Sequence, residues 1–410
     1  MRRPHYAWAI CAGGVLTAFV IFGMAINIFS IYQPYIIEYN GFTNAQGSFI
    51  TTIRSLFMLL SVCTANWVCD RLGIRKMMAL AFALIVASCV CFAFAKSYFG
   101  YCFGAFLSGM SYGYGGMIPI SMIIGRWFKD RRGFALGLAT SGSGIPTVLA
   151  PGIITSLIEN YGLKVAFLAQ AAFVLAIVTV AVLLLRDSPA EMGLAPYSLS
   201  ETVEQAAAAA PAYTRDVPKM ITFLLCLTAF LIGGPGGPGF SHITVLYSTC
   251  GYDGAAVAGF VSILGLTISV GKICSGQIYD VFGGFKGNFY MFGILLTALV
   301  LCCFAPVGGM ILPYITVMFF GFGIPLSNVP FALWARDIYG DGGSERAMRA
   351  FSISYSLGML FFGPLPGVLA DRFGSYVHSY AVFAVVLMIS LFMVQYAYID
   401  KAREEKRTKI

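Results

Sequence analysis

Two full positive charges lie inside otherwise apolar runs of this sequence, and their chemistry would be the holding of an anion. Lys272 sits in VAGFVSILGLTISVGKICSGQIYDVFGG, residues 257–284, with no acidic residue beside it until Asp280. Eight helical residues separate it from Asp280, about 12 Å of axial rise, more than its side chain can span to reach water. At helical spacings of three, four and seven its neighbours include Gly265, Ser269, Ser275, Gly276 and Tyr279, a small and partly polar face. Such a face packs on protein or lines a cavity and does not suit lipid. Arg54 is the second cation, in the run 48–69. It would lie about 9 Å inside the outer end of its helix, so a cavity role fits, and so does an interfacial or structural one with outward snorkelling. A charge at membrane depth costs several kcal/mol, about 2.5–3.5 on insertion scales, and an anionic substrate would offset that cost.

Uncharged candidates accompany them. Asn27, near mid-membrane in the first run, can bond either a substrate or a neighbouring helix. Tyr112 and Tyr114 offer hydroxyls to an anion or aromatic surface to a core. His242 can titrate or form a polar cap at a cavity mouth. Asn328 stands among Gly321, Gly323, Pro325 and Pro330, where an interrupted helix would expose backbone groups that only a cavity or protein packing can satisfy. No Asp or Glu falls in the core of an apolar run, so a dedicated carboxylate proton carrier is missing. The eleven cysteines are scattered without a C-x-x-C pair and read as packing residues, with neither metal nor cofactor expected. Gly113-x-Gly115-Gly116 has no strand before it and is not a nucleotide loop.

The elements that must position these residues are membrane helices. The chain is 59% hydrophobic and 11% charged, with a mean hydropathy of +0.81. Soluble domains carry roughly 25% charged residues. Twelve apolar segments are expected near 6–35, 48–69, 77–95, 98–125, 133–158, 165–185, 220–247, 257–279, 287–305, 311–335, 350–370 and 378–399. With the N-terminus inside, only Lys96, Lys164 and Arg372 among the loop Lys and Arg residues fall on the outer side. Trp8, Trp67, Trp127 and Trp334 all fall near the inner ends. The formal charge of +8 is therefore topological and implies no nucleic-acid partner. Arg2 and Arg3 lead straight into the first apolar run, so no cleavable signal is expected. Residues 186–219 are polar and partly low-complexity, and divide a first six-helix bundle, 1–185, from a second, 220–410.

The halves repeat. Asn66-x-x-x-Asp70-x-x-Gly73-x-x-Lys76 recurs as Gly276-x-x-x-Asp280-x-x-Gly283-x-x-Lys286, and Arg126 recurs at the same offset as Arg336. Internal duplication is a feature of transporters. NWVCDRLGIRK after the second segment, its weaker copy after the eighth and the long central loop together resemble the major facilitator superfamily, with Asn66 where that family has glycine. The resemblance implies an all-α fold of twelve transmembrane helices in two pseudo-symmetric bundles around a cavity lined by helices 1, 4, 7 and 10. It also implies that Asp70, Arg71, Arg75, Lys76, Arg126, Asp280 and Arg336 lock a cytoplasmic gate, where the residues alone would equally serve to fix topology.

RWFKDRRGFALGLATSGSGIP (126–146), DSPAEMGLAP (187–196) and GKICSGQIYD (271–280) are similar to the branch of monocarboxylate transporters and oxalate:formate antiporters. Lys272 matches a position where that branch carries arginine. A lysine is a point charge that can lose its proton, whereas arginine is a fixed bidentate fork. The eleventh segment is free of charge, which makes a compact dicarboxylate a poorer match. The expectation is a secondary transporter of small organic anions, foremost monocarboxylates, coupled to protons or to anion exchange. It would be a monomer in a bacterial inner or plasma membrane with both termini cytoplasmic. A nitrate-type transporter is the near alternative and a transporter-like anion sensor the distant one. No catalytic cluster supports an enzyme.

Overall fold

In the computed structural model, residues 5–128, 132–198, 217–307, 309–327 and 329–408 are described. The elements are helical: α1 (Ala7–Ala18), α2 (Phe29–Asn40), α3 (Asn44–Leu72), α4 (Ile74–Phe94), α5 (Tyr98–Gly115), α6 (Met117–Trp127), α7 (Arg132–Ser141) and α8 (Gly144–Leu184) come first. They are followed by α9 (Lys219–Gly234), α10 (Ile243–Thr249), α11 (Gly254–Cys303), α12 (Ile311–Gly323), α13 (Val329–Tyr339), α14 (Asp341–Phe362), α15 (Leu365–Phe373) and α16 (Val377–Thr408). Helices dominate because a bilayer offers no partner for a free backbone amide or carbonyl. This is a multi-pass membrane protein. Ten runs among the described residues are long and apolar enough to span. One of them, Ala135–Leu184, joins two expected segments, and the expected segment 98–125 is divided at Gly116 between α5 and α6.

The chain forms two compact units. The first comprises Met1–Phe42 and Ile53–Ala209; the second comprises Thr43–Thr52 and Ala210–Ile410. In the first unit residues 186–198 are folded against the helix ends, not loose. Trp127 Nε1 donates to the Arg186 carbonyl at 3.0 Å, and the Tyr197 amide donates to the Trp127 carbonyl at 2.8 Å. Tyr197 then packs edge-on against Trp8. The Asp187 carboxylate accepts from the Arg75 amide at 2.5 Å, in the first turn of α4. A carboxylate there meets both an unpaired donor and the positive end of the helix dipole.

The repeat seen in the sequence has a backbone counterpart. Gly73 (φ 81°, ψ 161°) and Gly283 (φ 71°, ψ 170°) occupy the same conformation at the same motif position. That region is open to glycine and strained for other residues. Each glycine turns the chain directly from one membrane helix into the next.

Straight helices are interrupted at four places that matter for the site. Phe19–Asn27 is π-helical between α1 and α2, and Pro235–Gly239 is π-helical after α9. Gly116 (φ −85°, ψ −143°) breaks α5 from α6, and Ile324–Ser327 is a 3₁₀ turn after α12. Each interruption frees carbonyls or amides from the regular ladder, which is the usual local setting of a functional site in a membrane helix.

Candidate functional site

In the first unit, Arg54 is carried by α3 and is 5% exposed. Its guanidinium carbon lies 4.8 Å from the centroid of the Phe29 ring. Nε and Nη1 are buried without a hydrogen-bond partner. The side chain is packed inside the unit and does not snorkel outward, which fits a cavity role and a structural one alike. The ring face compensates part of the charge, about 0.5–2 kcal/mol, and leaves directional N–H donors unsatisfied.

Small residues in α5 bring its backbone close behind Arg54. A side chain at Gly109 would collide with the Arg54 carbonyl, and one at Gly113 would collide with Ser61. Ser61 Oγ accepts from the Gly113 amide at 3.1 Å, which fixes α3 against α5. Tyr114 belongs to the same seam: it is 6% exposed and its hydroxyl lies 3.1 Å from Thr64 Oγ1. Tyr112 is different. It is half-buried, its ring meets Phe22 edge-on at 5.4 Å, and its hydroxyl has no hydrogen-bond partner among the described residues.

Asn27 closes the π-helical stretch and donates from Nδ2 to Thr147 Oγ1 at 2.8 Å, tying that stretch to α8. Gln170, also on α8, donates to the Met24 carbonyl at 2.9 Å, inside the same stretch. Sequence reading missed Gln170; the signal available was a lone amide in the run AFLAQAAFVLA. Beside it is a cavity of about 10 Å³ lined by Tyr32, Ser88, Ser108 and Phe167 among others. The Tyr32 hydroxyl and Gln170 Oε1 are buried there without partners.

In the second unit, Lys272 is exposed and has no hydrogen-bond or ion-pair partner among the described residues. The side chain is thus not enclosed within the second unit, where the sequence led to the expectation of a buried lysine. Gly271 beside it packs against the Gly321 carbonyl, so α11 and α12 approach closely here. The π-helical turn passes Ser327 and Tyr355, both of which a side chain at Gly236 would strike. Ser327 Oγ is buried without a partner. Asn328 lies outside the described residues, as does the side chain of Asp280.

His242 is fully buried. Its Nδ1 lies 2.9 Å from the Pro238 carbonyl and its Nε2 lies 2.8 Å from Ser48 Oγ. A carbonyl can only accept, so Nδ1 carries the proton, and Nε2 accepts from the serine in the neutral ring. Tyr376 stacks on the imidazole at 5.9 Å and donates to Asn44 Oδ1 at 3.0 Å. This corner of the second unit is a sealed polar cluster around the start of α3.

The expected gate residues lie at the charged helix ends. Asp70, Arg71, Lys76, Arg126 and Arg336 are exposed, and the Arg71 guanidinium lies 4.1 Å from the Trp67 ring centroid. Arg75 is half-buried and donates from Nη2 to the Val182 carbonyl at 3.3 Å. Among the described residues no three His, Cys, Asp or Glu side chains gather as a metal site.

Comparison with known proteins bears on this arrangement. The family model described as Major Facilitator Superfamily matches residues 15–352. Monocarboxylate transporter 12 of Rattus norvegicus is 23% identical over 318 residues, which is 71% of this chain and 64% of that protein. Monocarboxylate transporter 13 of Rattus norvegicus is 25% identical over 279 residues, 66% of this chain and 60% of that protein. The match therefore spans somewhat under two thirds of these relatives' own length. The MFS-type transporter hasB of Aspergillus fumigatus is 24% identical, covering 93% of this chain and 86% of its own. Among solved structures, the nucleoside transporter NupG superposes with a TM-score of 0.75 at 10% identity, over 95% of this chain and all of that one. A bacterial homologue of the human lysosomal transporter Spinster, inward-facing and unoccupied, gives 0.72 at 14% identity over 96% and 97% of the two chains. At such identities the structural likeness concerns the fold alone.

Proposed function

The chain belongs to the major facilitator superfamily, and on that footing we propose that it is a secondary transporter of small organic anions, foremost monocarboxylates. The observation that carries this reading is Arg54: a guanidinium 5% exposed inside a membrane helix, with Nε and Nη1 unpartnered. A fixed positive charge in that position needs a counter-charge, and a carboxylate presents two oxygens matched to the guanidinium fork. The accessible Lys272 supplies a second cation in the other unit. Similarity to monocarboxylate transporters supports the same substrate class. Tyr112 and Asn27 are the uncharged partners of Arg54 in this reading; Asn328 is a candidate in the second unit, while Tyr114 and His242 are engaged in packing contacts. The residues Asp70, Arg71, Arg75, Lys76, Arg126, Asp280 and Arg336 act on gating between two six-helix bundles joined by residues 186–219. The protein works as a monomer in a bacterial plasma membrane with both termini in the cytoplasm.

Counterflow in proteoliposomes tests the proposal. Protein loaded with unlabelled carboxylates of graded length is expected to accumulate a labelled monocarboxylate. Counterflow with nitrate alone would replace the reading with an inorganic-anion transporter. Saturable binding of a carboxylate without any flux would replace it with a sensor.

A further inference from the structure

The first unit carries an open apolar groove on its surface. It has a volume of about 830 Å³ and lies between α4, α5 and α8. Its floor is a stripe of small residues on α4, Ala79, Ala83 and Ala87, and its rims are Phe103 and Leu183, which are 56% and 63% exposed. No free polar group lines it. The Thr179 hydroxyl is bonded to the Leu175 carbonyl at 2.8 Å, and Cys91 Sγ donates to the Gly100 carbonyl. A polar solute has nothing to bind here, and a hydrocarbon does.

Along α4 the groove runs from Ala79 to Cys91, about 18 Å at helical rise, against about 15 Å for one leaflet of the hydrocarbon core. It therefore matches an acyl chain in length and lies at the depth where acyl chains are. One end carries charge. Arg75 and Lys76 stand one helical turn before Ala79, and Arg186 stands three residues after Leu183. Lys76 is exposed, and both arginines are half-buried. Each arginine uses only part of its donor set on carbonyls at the end of α8: Arg75 on Val182, and Arg186 on Leu183 and Leu185. Asp187 is the adjacent carboxylate, and it is turned to the Arg75 amide. Net positive charge thus meets the headgroup level where the apolar groove ends.

We propose that this groove seats one anionic phospholipid, its acyl chain along Ala79, Ala83 and Ala87 and its phosphate among Lys76, Arg75 and Arg186. Basic pockets at the ends of transmembrane helices select acidic headgroups, and each Lys or Arg near the surface contributes about 1 kcal/mol, or about fivefold in affinity. The occupant is a lipid and not a second copy of the chain, because the charge lies at one end of the groove and the walls offer no polar partner to another protein.

Native mass spectrometry of the full chain tests this, after equilibration with equal amounts of phosphatidylglycerol and phosphatidylcholine. Wild type is expected to retain one phosphatidylglycerol per chain in clear preference to phosphatidylcholine. Ala83→Leu with Ala87→Leu fills the floor and is expected to lose the retained lipid. Arg186→Gln leaves the groove intact and is expected to reduce the preference about fivefold. Equal retention of the two lipids by wild type would overturn the proposal without any variant. So would unchanged retention in the double leucine variant, or a dimer whose formation that variant abolishes.

Discussion

Asp371 caps a helix that begins 327 residues earlier in the chain. Its carboxylate accepts from the Asn44 amide at 3.0 Å, the Asn44 side chain at 2.9 Å and the Ala45 amide at 2.8 Å. The first turn of α3 thereby has its free donors satisfied by a charge from the end of α15, next to the Ser48–His242 pair.

Loss of this cap should show as stability. Asp371→Ala is expected to cost about 1–2 kcal/mol, the upper range for a capping side chain, because three bonds to a charged acceptor are removed together. Thermal unfolding should shift downward, and amide exchange at Asn44 and Ala45 should accelerate. Unchanged exchange at those amides would show that the carboxylate is not holding them.

Gly73 and Gly283 make a matched pair of tests. Alanine at either position must adopt a conformation near φ 71–81°, at a cost of about 1–3 kcal/mol. Gly276 has open space around it, so Gly276→Ala should be nearly neutral or mildly stabilising within its helix. Equal melting temperatures for all three variants would contradict the backbone assignment.

Much of this architecture was legible in the sequence. The hydropathy runs mark the helices, and the Asp-x-x-Gly repeat anticipates the paired turns at Gly73 and Gly283. Arg54 and Lys272 stand out by charge alone, because a bilayer penalises them wherever they point. What could not be read is which groups find each other. The Tyr114 hydroxyl is bonded to Thr64, Asn27 to Thr147, and Asp371 to a helix start far away in sequence. Hydrophobic periodicity carries no information on such pairings, since each depends on side-chain reach across a packed seam. The first and second runs also extend further than their hydropathy suggests, to Asn40 and back to Asn44, because polar residues there are capped within the fold.

Asp70 is expected to act on switching between states. Asp70→Asn should slow exchange while leaving substrate affinity near wild type, since the residue is exposed at the end of α3, sixteen residues from Arg54. Affinity titration together with counterflow rates checks this. A large loss of affinity at a normal exchange rate would contradict it.

Coupling is tested at Lys272. Lysine can lose and regain a proton, whereas arginine cannot under these conditions. Lys272→Arg should therefore bind substrate while its uptake loses dependence on an imposed pH gradient. Lys272→Gln should fail to bind. If uptake by Lys272→Arg follows the gradient as in wild type, proton coupling lies elsewhere.

The anion site rests most heavily on Arg54, and Arg54→Leu separates function from stability there. Replacing an unpaired buried charge by an apolar side chain removes a desolvation penalty of several kcal/mol. The account predicts that Arg54→Leu protein, without substrate, melts at or above the wild-type temperature and shows no substrate-induced rise in that temperature and no counterflow. Wild-type carboxylate affinity in Arg54→Leu would contradict the account.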